Sequence, residues 1–108
     1  MLHLTMYFDK TKNPSGFSLQ GHASDSLVCA GVSAIAQAAV IGILHYEHGV
    51  DHCGREGLTA IRMRTPTARG VAILETAING ILATAAYGHN QLEVHYRSDS
   101  DWPFSDKV

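Results

Sequence analysis

Leu2, Leu4, Met6 and Phe8 alternate with His3, Thr5, Tyr7 and Asp9, the two-residue period of a strand with one buried face. Residues 10–16, KTKNPSG, break that period with Asn13-Pro14 and Gly16 and read as a turn. Phe17, Leu19 and Gly21 then alternate with Ser18 and Gln20, which predicts a second strand in a hairpin with the first. From Leu27 to about Tyr46 the period changes. Val28, Val32, Ile35, Ala36, Ala39, Val40 and Ile43 recur at spacings of three and four, the stripe of an amphipathic helix, with Gly49 as its stop.

Residues 52–57, HCGREG, are polar and turn-like; the segment before Leu58 adds at most a short hairpin partner. Leu58 to Arg64 reads as a third long strand. A second helix follows over Thr67–Tyr87, with Val71, Leu74, Ala77, Ile78, Ile81, Leu82 and Ala85 as its apolar stripe and Gly88-His89-Asn90 as its end. Leu92, Val94 and Tyr96 alternate once more as a last strand. The order β-β-α-β-α-β predicts an α+β two-layer sandwich, two helices on one face of a mostly antiparallel four-stranded sheet. The other face is expected to be more polar, with Tyr7 and Tyr96 on it, and to be available to a homodimer. Residues 1–98 form a single domain in this reading, and 99–108 a polar C-terminal tail. Its Trp102-Pro103-Phe104 cluster is either an interface anchor or a tryptophan folded back on the sheet.

Composition narrows the classes. With 108 residues and 45% hydrophobic side chains, the chain has material for one core. Eight basic and ten acidic side chains give a net charge of −2, which argues against direct nucleic-acid binding. The low-charge run from Ser26 to His45 contains Gln37 and many small residues, and fits a buried helix better than a membrane span. The start MLHLTMYFDK has no basic region followed by a long apolar run, so no secretion signal is expected. Two cysteines without framework spacing imply a reducing compartment and a cytoplasmic protein; a Cys29–Cys53 disulfide is the alternative left open.

The chemistry concentrates in residues 21–33, GHASDSLVCAGVS. His22 ends the second strand, Asp25 or Ser26 caps the first helix, and Cys29 falls in or just past its first turn. A helix start carries roughly half a positive charge and favours a thiolate, and a neighbouring imidazole can take the thiol proton. Unpaired N–H groups of the same turn are candidate oxyanion donors. Ala30 and Gly31 leave room for a substrate backbone. Ser33 lies one turn beyond Cys29 on the same helix face, placed to hold the thiol or the imidazole. A cysteine on an apolar stripe also reads as core packing, and spacing alone leaves both readings standing.

Gly21-His22-Ala23 and Val28-Cys29-Ala30-Gly31-Val32-Ser33 resemble the signature of the ribosomal-processing cysteine protease family, Prp. That signature is GHA, a loop, then Asp-x-Val-Cys-Ala-Ala/Gly-Val-Ser. The resemblance implies a cytosolic, homodimeric endopeptidase that needs no metal or cofactor. It implies a substrate too: the large-subunit ribosomal protein numbered twenty-seven, whose N-terminal extension is removed during ribosome assembly. It assigns Cys29 as nucleophile and His22 as base and acid, with Asp25 and Ser33 as secondary candidates. Two features depart from the family. The His22–Cys29 loop is shorter than the longer, glycine-containing lid loop of relatives. The aspartate expected three residues before the cysteine is replaced by Ser26, with Asp25 one residue earlier.

Two further readings stand beside this one. His45, His48, His52 and Cys53 cluster in LHYEHGVDHCG and would make a metal-binding module if brought together; a solvated helix end accounts for the same histidines. A non-catalytic ribosome-assembly interaction protein on the same fold is the other, supported by the shortened loop. His3, His89 and His95 are expected at surface positions on strands or a loop, and Cys53 near a turn.

Overall fold

The computed structural model describes residues 1–88 and 91–104. Strands β1 (Leu2–Phe8) and β2 (Pro14–Gly21) lead into helix α1 (Ser26–Tyr46). Strands β3 (Val50–Arg55) and β4 (Leu58–Met63) then precede helix α2 (Ala68–Ala85) and strand β5 (Leu92–Ser98). Short 3-10 turns follow α2 at Ala86–Gly88 and β5 at Asp99–Asp101. His89 lies outside the described residues, as does the end of the expected tail, residues 105–108.

The expected four-stranded, mostly antiparallel sheet is corrected to five strands in the order β3-β4-β2-β1-β5. β1, β2, β4 and β3 pair antiparallel, whereas β5 runs parallel to β1, with Leu2 opposite Leu92 and Tyr7 opposite Arg97. The additional strand, β3, falls where a polar turn was read. It is an edge strand with one neighbour, and none of its residues is fully buried, so no hydrophobic alternation marks it. Only Glu56-Gly57 form the turn, since Arg55 pairs with Leu58.

Alternation on the strands sorts two faces. Leu2, Leu4, Phe17, Leu19, Ile61 and Met63 point to the helix layer. There they form one core with Val28, Val32, Ala36, Ala39, Val40 and Ile43 of α1 and Leu74, Ala77, Ile78, Ile81 and Ala85 of α2. By length and composition α1 is apolar enough to cross a membrane, but its stripe of valines, alanines and isoleucine is spent in this core. Glu47, just past α1, is buried and accepts from the Thr67 backbone N–H at 2.9 Å and from the Thr67 hydroxyl. Thr67 is the N-cap of α2, so this carboxylate ties the end of one helix to the start of the next.

The opposite face is not simply polar. Tyr7, Leu58, Ala60 and Trp102 are buried together there, with Trp102 edge-on to Tyr7 at a 5.1 Å centroid distance and Phe104 edge-on to Trp102 at 5.2 Å. The tryptophan is therefore folded back on the sheet. Burial raises the Tyr7 phenol above its ordinary range, against a lowering by the Ser18 hydrogen bond. Tyr96 was expected on this face and is not there. It stands in register with Met6 and packs against Phe8, at the exposed edge of the helix side.

Arg62 joins this face to the edge strand. Its Nε and Nη2 donate to Asp51 at 3.1 and 2.6 Å, its Nη1 donates to the Asp99 carbonyl at 3.2 Å, and its guanidinium lies 5.4 Å from the Trp102 ring centre. Arg64 also donates to both Asp51 oxygens. The Arg64 hydrogen bonds, and after them Arg62, hold the Asp51 carboxyl below the usual carboxylate range against the opposing effect of burial. A depressed folded value means that this carboxylate stabilises fully above its unfolded-chain value of about 3.9 and loses that contribution as pH falls through the folded value. Asp51→Asn is expected to lower stability by about 1–3 kcal/mol near neutrality. The gap between wild type and variant closes as the buffer is acidified below about pH 4, a convergence readable in paired thermal melts.

Candidate active site

β2 ends and α1 begins within a four-residue connection, His22–Asp25. Gly21 makes the corner possible. It takes φ +96°, and a Cβ there would sit 2.4 Å from the Met1 carbonyl oxygen. Its N–H donates to the Gly57 carbonyl at 2.9 Å, and the His22 carbonyl accepts from the Met1 amine at 2.7 Å. The backbone carrying His22 is thus tied on both sides. Gly57, in the β3–β4 turn with φ +76°, backs the imidazole: a Cβ on it would meet His22 Nε2 at 3.2 Å.

Asp25 is the N-cap of α1. Its Oδ1 accepts from the Leu27 and Val28 N–H groups at 2.9 and 3.3 Å, and its own N–H donates to Gln91 Oε1 at 3.1 Å. Cys29 N–H donates to the Asp25 carbonyl at 3.0 Å. Cys29 therefore sits in the first turn, half-buried and as a free thiol; Cys53 is also free.

A cavity of about 190 Å³ opens at this corner. His22, Cys29 and Ser33 line it together, joined by Gln37, Arg55 and Thr59, with Leu2, Leu19 and Leu58 as apolar wall. Asp25 does not line it. Three of the four expected residues are brought around one space, and the fourth holds the helix that carries the thiol. No hydrogen bond joins Cys29 to His22 directly; what they share is the cavity. The expectation of unpaired N–H groups as oxyanion donors is corrected for Leu27, Val28 and Cys29, whose N–H groups are all engaged by Asp25. A well-satisfied cap is the physical reason: the Asp25 carboxylate takes the Leu27 and Val28 N–H groups, and its backbone carbonyl takes that of Cys29.

Sequence reasoning passed over four lining residues. Gln37 was legible, since 29, 33 and 37 are spaced by four and share a helix face. Its Nε2 donates to Thr59 Oγ1 at 3.2 Å, pinning α1 to β4. Arg55, Gly57 and Thr59 come from a distant hairpin and carried no local signal. Arg55 also donates to Cys53 Sγ at 3.6 Å.

The histidine cluster does not form a metal centre. His52 and Cys53 are successive residues of β3 and point to opposite faces. His45 lies edge-on to Tyr46, 4.7 Å between ring centres, and His48 is exposed beyond the helix end. Among the described residues the group with ligand atoms close enough for an ion is a different one, His3, Glu93 and His95.

A free thiol in the first turn of a helix and an imidazole lining the same cleft are the two groups that thiol-based peptide hydrolysis needs. The family model described as cysteine protease Prp matches residues 1–99. Among solved structures, an essential ribosomal processing protease Prp from S. aureus, in complex with a covalently linked product peptide, superposes with a TM-score of 0.78. The two are 21% identical, over 89% of this chain and 99% of that one. The same S. aureus protease in complex with a substrate peptide gives 0.72 at 18% identity, again over 89% and 99%. A protein from Streptococcus mutans gives 0.69 at 19%, over 91% and 98%. No curated protein matches the sequence. The chain belongs to the Prp family of cysteine proteases.

Gly57→Ala tests whether the turn behind the imidazole sets its position. A methyl group in the left-handed region costs about 1 kcal/mol, and the ring must shift to admit it. Peptide cleavage is expected to fall by at least about 10-fold with only a small drop in melting temperature; unchanged turnover would show that the ring is positioned by something else.

Proposed function

We propose that this protein removes the N-terminal extension of the large-subunit ribosomal protein numbered twenty-seven, in the cytoplasm, during ribosome assembly. The observation that carries the reading is that the thiol of Cys29 and the imidazole of His22 line one cleft at the strand–helix corner of a Prp-family chain. The S. aureus protease with its peptides supports a peptide substrate of the ribosomal-processing class.

His22 accepts the Cys29 thiol proton, and the thiolate attacks the carbonyl carbon of the scissile peptide bond. The tetrahedral intermediate collapses as His22 gives that proton to the leaving amine, and the freed imidazole then draws a proton from water that hydrolyses the thioester. With the Leu27, Val28 and Cys29 N–H groups engaged, the oxyanion is left to side-chain donors of the cleft: the Ser33 hydroxyl, one turn from the thiol, and the Arg55 guanidinium. Ser33 acts here as a donor rather than as part of the proton relay, and Asp25 as the cap that fixes Cys29. The short His22–Asp25 connection leaves the cleft uncovered by the lid expected of relatives, so the substrate is held by the cleft wall itself.

The proposal includes a homodimer, formed through the helix layer rather than the sheet face. Trp102 and Phe104 already cover part of the sheet face, while Ile41, Leu44 and Leu82 stand exposed on the helices. Between the helices runs an apolar groove of about 540 Å³ lined by Ile35, Ala38 and Ile73 among others. Sedimentation should give a dimer that Ile41→Glu converts to monomer; a wild-type monomer at all concentrations would overturn this part alone.

Incubation with the extended ribosomal protein should remove its extension, seen as a discrete mass loss. Cys29→Ala is expected to abolish cleavage, and His22→Ala to slow it by about 10²–10⁴-fold. Persistent cutting by Cys29→Ala would eliminate the nucleophile, and binding without cleavage by wild type would favour an assembly factor without catalysis.

A further inference from the structure

The parallel pairing of β1 with β5 brings together three metal-binding side chains from opposite ends of the chain. His3 stands in register with Glu93, and His95 lies two residues on from Glu93 and so on the same face. This face is the one away from the helices. His95 Nε2 is 3.3 Å from Glu93 Oε1, and His3 Nδ1 is 3.8 Å from the same oxygen. One ligand atom from each of the three residues lies within 4.8 Å of the other two. The two imidazole rings are near-parallel, 5.7 Å apart.

These separations are close to what an ion imposes. With metal–nitrogen and metal–oxygen bonds of about 2.0–2.2 Å, tetrahedral ligands sit about 3.3–3.6 Å apart. The His95–Glu93 distance already meets that, and the His3–Glu93 distance needs only a small side-chain adjustment. The ligands project from strands paired over their whole length, so the backbone under them is fixed before an ion arrives. Their cross-strand neighbours on the same face, Thr5 beside His95 and Gln20 beside His3, are neutral; the cation of that face, Arg97, is one alternation further along β5, opposite Tyr7.

We propose that His3, Glu93 and His95 form a surface site for a divalent first-row transition metal, with zinc as the reference ion and a fourth position open to water. Two imidazoles and one carboxylate favour zinc, cobalt, nickel or copper over magnesium and calcium, which prefer all-oxygen ligands. The site is separate from the catalytic cleft: none of its residues lines that cavity.

Cobalt(II) titrated into chelator-stripped protein at about pH 7.5, where imidazole is mostly neutral, tests this directly by its visible d–d absorption. One equivalent is expected per chain, displaced by zinc but not by magnesium or calcium. Cys29→Ala should bind as wild type does, without thiolate-to-metal charge transfer in either. His3→Gln and His95→Gln should each weaken binding by at least about 10-fold. These are exposed or half-exposed positions, and an unchanged circular dichroism spectrum and melt accompany the expected loss. No binding by wild type, binding that survives both histidine substitutions, or binding that disappears in Cys29→Ala would each overturn the assignment.

Discussion

The rotational setting of α1 on the sheet decides where the Cys29 sulfur points. Val28 and Val32 are locked into the core by the strands beneath them and by α2. At 3.6 residues per turn, each following residue is swung round by about 100°. Cys29 and Ser33 therefore come to the flank of the helix, above the ends of β2 and β4, and Gln37 continues the same line to its hydrogen bond with Thr59. Cys29 borders the core without being buried in it. Apolar packing fixes its direction. Gly31, expected to leave room for substrate, instead admits α2: a Cβ there would meet Thr84 Cγ2 at 2.9 Å, and neither it nor Ala30 lines the cleft.

The imidazole is positioned differently. It projects from a turn, with no carboxylate to orient it among the described residues, and its constraint is backbone: Gly21 at a positive φ on one side and Gly57 behind the ring on the other. Asp25, the nearest acid in sequence, has its carboxylate turned to the helix start. The arrangement holds the thiol through helix packing and the imidazole through its backbone.

How much of this was legible follows from locality. The hairpin, both helices and the last strand were plain because each repeats its own period, and His22, Cys29 and Ser33 were plain because one short corner carries them. β3 was hidden: of its six residues only Val50 and Cys53 pack against apolar clusters, while Asp51 and Arg55 look to polar partners. The parallel pairing of β5 is written in neither strand; it follows from where α2 returns the chain. Arg55, Gly57 and Thr59 entered the cleft for the same reason, by way of a hairpin about 30 residues from the corner in sequence. The Tyr96 expectation failed by one step of alternation, because β5 registers with β1 so that its even-numbered positions, not its odd ones, share the helix side.

A side chain on the first turn of a helix is only as fixed as that helix, and α1, which carries Cys29, is held at both ends by carboxylates serving helix starts. Asp25 accepts from the opening N–H groups of α1 itself. Glu47, at the other end, accepts from Thr67 at the opening of α2. Because α2 packs along α1 over the same sheet, the second contact restrains sliding of α1 as well as fraying of its end. A buried carboxylate is costly without partners, and here it is met by a backbone N–H, a hydroxyl and the positive end of a helix dipole. The sheet's other face takes no part in that clamp. Its Asp51–Arg62–Trp102 network fastens the chain's own C-terminal turn, and its histidine pair stands apart on β1 and β5. The setting of Cys29 thus depends on the helix layer, and the Asp51 network and the histidine pair lie on the strand face away from it.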